Sequence, residues 1–151
     1  MARLLKNLPS IEIENLKRKY FTRGHFWVEN SKGCWKLKSA RSGSRVYRSV
    51  KKCYGTAVSI KRFISEGDKQ HVGFSSVNTH VLMYFLHTGQ TAETARSETV
   101  SHLCSESECV NPQHLTLEPQ VVNLSRVRCC RTRRCSGHGD YKDCLLVKVG
   151  S

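Results

Sequence analysis

The chain has 151 residues, with 25 Lys and Arg against 12 Asp and Glu, for a formal net charge of +13. That length suits one domain with a modest core, and so much positive charge points to a polyanionic partner, nucleic acid before an anionic membrane surface. No apolar run approaches the roughly 20 residues of a membrane-spanning helix. Met1 to Ser10 lack the apolar core and cleavage site of a signal peptide. An intracellular protein is expected, nuclear if its host is eukaryotic. In a reducing compartment its eight Cys favour metal ligation over disulfides.

Residues 1–30 read as an N-terminal helical arm. Within it residues 10–21 form the helix, with Ser10 as N-cap, Glu12 and Glu14 near its positive end and Lys17, Arg18 and Lys19 near the other. Residues 33–64 have a different character. Turn signals at Ser42-Gly43-Ser44 and Gly55 separate short β-prone runs, Val46-Tyr47 and Val58-Ser59-Ile60. This region carries Lys36, Lys38, Arg41, Arg45, Arg48, Lys51, Lys52, Lys61 and Arg62 and no acidic residue. A solvated sheet face would mix charge signs, whereas short antiparallel strands with alternate basic residues make a ribbon suited to a major groove. Residues 76–88 read as a helix capped by Ser75 or Ser76 and ended by Gly89, with Val77, Val81, Leu82, Phe85 and Leu86 facing the core. His80 and His87 on it, without Cys neighbours, read as packing or surface residues. With no internal repeat, a single domain over 1–151 is the simplest organisation.

Residues 99–149 hold six of the eight Cys, so the metal chemistry is expected there. Cys104, Cys109 and His114 run as C-x4-C-x4-H around Asn111-Pro112, a turn-forming pair. A tight loop folding three such ligands toward one point suits tetrahedral zinc. A structural site needs a fourth ligand, and Cys34 and Cys53 are both available. Further on, one of the vicinal pair Cys129 and Cys130 makes a complete Cys3His set with Cys135, His138 and Cys144. Gly137 and Gly139 allow that loop to turn tightly. Two structural zinc ions follow, with metal binding coupled to folding; a pair of disulfides is the competing reading.

The run Ser101-His102-Leu103-Cys104, followed by Cys109-Val110-Asn111-Pro112-Gln113-His114-Leu115, resembles the His-Cys box of homing endonucleases. Asn123 and the Cys129/Cys135/His138/Cys144 cluster continue the resemblance in the same order, so that it covers residues 99–144. The resemblance implies an α+β fold: a small zinc-stapled ββα-metal nuclease with a basic antiparallel β-sheet and few helices. It also implies a double-stranded DNA partner, a site-specific endonuclease activity, His102 as general base, and Asn123 as ligand of a catalytic magnesium or other divalent ion. By the same resemblance the first zinc takes Cys104, Cys109 and His114 with Cys53 favoured over Cys34. The second takes Cys129, Cys135, His138 and Cys144, with Cys130 as the substitute for Cys129. The family's dimers use an extended C-terminal tail, and only Leu145 to Ser151 follow the last Cys here, so monomer and homodimer both stay open.

The chemistry stands beside the resemblance. Phosphodiester hydrolysis needs a base for water and a cation for the leaving oxyanion. Histidine can be neutral near pH 7, and magnesium prefers oxygen ligands while keeping several waters. His102 lies two residues from Cys104 on an extended run, so the two share a face and a zinc-ligand role for His102 is the alternative. For Asn123 the alternative is a helix-surface amide. A non-catalytic, zinc-stabilised DNA-binding module similar to that of Smad transcription factors is the second functional reading, though the presence of both His102 and Asn123 argues against it. A zinc-stabilised protein-interaction domain is the third, and it would not explain the basic stretch from Lys36 to Arg62.

Overall fold

The structure is a computed structural model that describes residues 2–22, 27–37, 57–66, 69–93 and 97–146. Helix α1 (Ala2–Lys6) leads into helix α2 (Ser10–Lys17), which runs on through a π-helical turn, Arg18–Thr22. The residue at the N-cap is Pro9 rather than Ser10. Its carbonyl accepts from the backbone N–H of Glu12 and Ile13, at 2.9 and 3.1 Å, and no side chain caps the helix. Proline's fixed φ already sets the entry direction, so Ser10 starts the first turn instead.

Three antiparallel hairpins follow. Strands β1 (Trp27–Glu29) and β2 (Trp35–Leu37) pair with Val28 opposite Lys36, and Trp27 stacks on Trp35 with ring centroids 4.0 Å apart. Strands β3 (Ala57–Glu66) and β4 (Lys69–Asn78) form a ten-residue ladder from Ala57↔Asn78 to Glu66↔Lys69. The expected Val58–Ile60 run lies in β3, whereas Val46-Tyr47 falls outside the described residues. Strand β4 was not anticipated, although the Gly67-Asp68 pair between two β-prone runs is a hairpin signal.

Helix α3 (Thr79–Thr88) starts three residues later than its sequence pattern indicates. Ser75, Ser76 and Val77 continue β4, opposite Ile60, Ser59 and Val58. Ladder pairing with β3 has overridden the local helical pattern there. The helix ends as expected, on Gly89 at φ 72°, a left-handed position that glycine takes at no steric cost. Leu82, Met83, Phe85 and Leu86 of α3 join Leu5, Leu8, Tyr20, Ile60, Val77 and Val110 in the main core. Tyr84 packs instead against Val100 and Leu115. One apolar helix thus holds the N-terminal segments on one side and the last hairpin on the other.

That last hairpin pairs β5 (Glu98–His102) with β6 (Leu115–Pro119), from Glu98↔Pro119 to His102↔Leu115. Residues 103–114 loop between the strands, and β6 runs straight into helix α4 (Gln120–Thr132). This β-loop-β-α unit is the small α+β frame on which the metal ligands sit.

Because Leu82 has no exposure and touches the shared core, Leu82→Ala should lower unfolding stability by about 2–5 kcal/mol. Urea titration followed by circular dichroism reads this. A loss under roughly 1 kcal/mol, below the range for a buried Leu, would mean α3 is not the central packing element.

Candidate metal centres and active site

Two sets of side chains converge: Cys34, Cys104, Cys109 and His114, and Cys129, Cys135, His138 and Cys144. In each set the ligand atoms lie within 4.8 Å of one another. Tetrahedral zinc, with bonds of about 2.0–2.3 Å, spaces its ligand atoms by roughly 3.3–3.8 Å. His114 Nδ1 stands 3.6 Å from both Cys34 Sγ and Cys109 Sγ. His138 Nε2 stands 3.6 Å from Cys129 Sγ and 3.2 Å from Cys144 Sγ. The soft Cys3His donor sets and their spacing therefore fit zinc.

The fourth member of the first set is Cys34, where the resemblance favoured Cys53; Cys53 itself falls outside the described residues. Backbone hydrogen bonding explains the placement. Asn30 Oδ1 accepts from the N–H of Lys32 and Cys34, at 2.9 and 3.0 Å, which folds the β1–β2 turn. Gly33 closes it at φ 75°, a conformation costly for any other residue type. Asn111 Nδ2 then donates to Gly33 O at 2.8 Å and Val110 N to Trp35 O at 2.8 Å. The two loops are stitched together on both sides of Cys34.

Hydrogen bonding and burial shift the thiols in different directions. Cys109 is pulled down to about 5, chiefly by the hydrogen bond from Cys104, against the opposing effect of burial, with help from the backbone of Asn111 and Trp35. Cys104 moves the opposite way through the same hydrogen bond and through burial. In the second set burial pushes Cys144 up to about 12, although Arg126 acts against it. Burial opposes ionisation of Cys135 too, but hydrogen bonds from the backbone of Cys144 and Gly137 outweigh it and lower that thiol. Cys130 is left out of the set, since helical geometry turns it about 100° from Cys129.

His102 ends β5, beside the first set. Its Nε2 lies 3.0 Å from Cys109 O. A carbonyl can only accept, so Nε2 carries the proton and Nδ1 keeps its lone pair. The ring packs on that of His80, with centroids 4.6 Å apart. Burial lowers the pKa of His102 and takes that of His80 down to about 3, so the pair is neutral at pH 7. Sequence reasoning placed His80 among packing residues but had no signal for its contact with His102. Asn123 occupies the first turn of α4, half-buried, and its carboxamide has no hydrogen-bond partner among the described residues.

Of the basic residues expected on a DNA surface, Lys36 instead reaches Glu106 and Glu108 of the zinc loop, at 3.3 and 3.9 Å. Lys38, Arg41, Arg45, Arg48, Lys51 and Lys52 fall outside the described residues. Also unanticipated is the buried pair of Arg126 and Glu118; an Arg and a Glu eight residues apart carry no signal that both turn inward.

The arrangement defines a small zinc-stapled α+β protein with a β-loop-β-α core of ββα-metal type. A family model described as the zinc-binding loop region of homing endonuclease matches residues 33–145, well over half the chain. The chain belongs to the His-Cys box homing endonuclease family. Comparison with curated proteins and with solved structures finds no match. No described helix is long and apolar enough to cross a membrane.

Two complete ligand sets should hold two zinc ions per chain. Cys34→Ser should release one of them, whereas Cys53→Ser should keep both. Elemental analysis of the purified variants distinguishes these, and the reverse pattern would return the fourth ligand to Cys53.

Proposed function

We propose that this chain is a site-specific endonuclease that hydrolyses phosphodiester bonds in double-stranded DNA, with His102 as general base. The observation that carries the reading is the hydrogen bond between His102 Nε2 and Cys109 O, which leaves an unprotonated Nδ1 on a ring held rigid beside the zinc loop. Nδ1 would accept a proton from the attacking water, and the carbonyl of Cys109 would stabilise the resulting imidazolium. The buried ring of His80 limits rotation of His102 away from that pose. Asn123 would orient a divalent cation through its carboxamide oxygen. That oxygen fits magnesium, which takes few protein ligands and fills its shell with water and phosphate oxygens. When bound, the cation supplies charge stabilisation for the leaving oxyanion. Membership of the homing endonuclease family and the net charge of +13 both favour DNA as substrate. The acid-free basic run from Lys36 to Arg62 is its proposed contact surface, apart from Lys36, which the zinc-loop acids engage.

His102→Ala should reduce plasmid cleavage by about 10²- to 10⁴-fold while leaving DNA affinity and zinc content intact. Asn123→Ala should weaken cleavage less, with partial recovery at raised magnesium or manganese. Loss of a zinc in His102→Ala would make that residue a ligand. A wild-type protein that binds DNA and never nicks it with any divalent metal would establish the non-catalytic, Smad-like reading instead.

A further inference from the structure

Helix α4 is built inside out. Val121, Leu124 and Val127 are exposed, while Arg126 and Cys129 are the buried residues. The guanidinium of Arg126 makes four hydrogen bonds. Nε and Nη2 donate to Glu118 Oε1 and Oε2 at 2.8 and 2.6 Å, Nη2 also donates to Lys142 O at 2.7 Å, and Nη1 donates to Cys144 Sγ at 3.4 Å. Its neighbour Ser125 donates to Val122 O at 2.6 Å, so its one proton is committed. The contact of 2.8 Å between Ser125 Oγ and His138 Nδ1 must therefore be an N–H donated by the histidine. That fixes the tautomer whose Nε2 lone pair faces Cys129 and Cys144, the form a metal ligand needs.

We infer that Ser125 and Arg126 are positioning residues that fasten the second metal loop to the helix carrying Asn123 and to the sheet carrying His102. Of the four ligands of that site, Cys129 belongs to α4, His138 is oriented from α4 by Ser125, and Cys144 is held from α4 by Arg126. Glu118 carries the connection into β6, which pairs with β5. A buried ion pair is a poor device for stability alone, because apolar residues of the same volume usually serve as well or better. A guanidinium here does what an apolar side chain cannot: it joins a strand carboxylate, a loop carbonyl and a cysteine sulfur from one rigid plane. It also places positive charge beside a Cys3His zinc site, where three thiolates outnumber the charge of the ion. The part of this inference that concerns catalysis rests on the proposed roles of His102 and Asn123; the part that concerns metal holding does not.

The test uses the zinc-loaded protein with Ser125→Ala and Arg126→Lys. Transfer of zinc to a chromogenic chelator should be faster by about 10-fold or more for one zinc and unchanged for the other, in line with the effect of outer-shell partners elsewhere. In the cadmium-substituted protein one of the two cadmium NMR signals should move and the other stay. Both variants should need several-fold more magnesium for half-maximal cleavage at unchanged DNA affinity. Wild-type release of both zincs with neither signal shifted would overturn the inference. Faster release at an unchanged magnesium requirement would overturn the link to Asn123. Should Arg126→Lys fail to fold, Ser125→Ala, at an exposed position, still reads all three. A wild-type protein without cleavage would refute the proposed function while leaving the metal measurements decisive.

Discussion

The loop between β5 and β6 is twelve residues long, and its shape depends on the convergence of Cys104, Cys109 and His114 on Cys34. Besides Cys109, its buried apolar residues are Leu103, Val110 and Pro112, of which only Val110 joins the main core. Its backbone is held by Asn111, by Val110 and by the paired turn at Gly33. Those hydrogen bonds orient the loop, but four sulfur and nitrogen donors packed this closely need a cation to share them. The hydrogen bond between Cys104 and Cys109 lowers the Cys109 thiol and raises that of Cys104. A metal ion held by these donors would organise a loop that adds little to the main apolar core.

That constraint reaches the proposed catalytic base through a single residue. Cys109 offers its Sγ to the cluster and its carbonyl to His102. Any displacement of the metal loop would move the carbonyl that sets the tautomer of His102. Helix α3 contributes from the other side, since its buried face supplies both the core residues Leu82 and Met83 and the ring of His80. The His102 ring is thus gripped between the candidate zinc loop and the main apolar core. This gives it a defined orientation at the end of a short strand, where a side chain would otherwise be free to turn.

The second metal set works differently. It sits at the far end of α4 and is tied to that helix by Cys129, Ser125 and Arg126. Helix α4 buries polar and ligating groups and leaves Val121, Leu124 and Val127 in solvent, so ordinary apolar packing does little to hold it. Ion pairing with Glu118 and attachment to the metal loop take over that task.

The sequence by itself determined the donor types and the family. Cys and His at loop spacings named three ligands of the first zinc set and, up to the choice between Cys129 and Cys130, all of the second, and the His-Cys box pattern named the family. Apolar periodicity found α3, because Val81, Leu82, Phe85 and Leu86 recur with the helical period, and Gly89 marked its end. What sequence could not decide was long-range. Cys34 and Cys53 are equivalent as donors, and only the hydrogen bonds from Asn111 and Val110 to the turn around Gly33 select Cys34 for the cluster. The first residues assigned to α3 belong to β4, because pairing with β3 is a tertiary energy that local propensity does not contain. The inward turn of Arg126 and the contact of His80 with His102 likewise arise from how elements pack. A residue's type limits the bonds it can make, and only the fold determines which partner lies within reach.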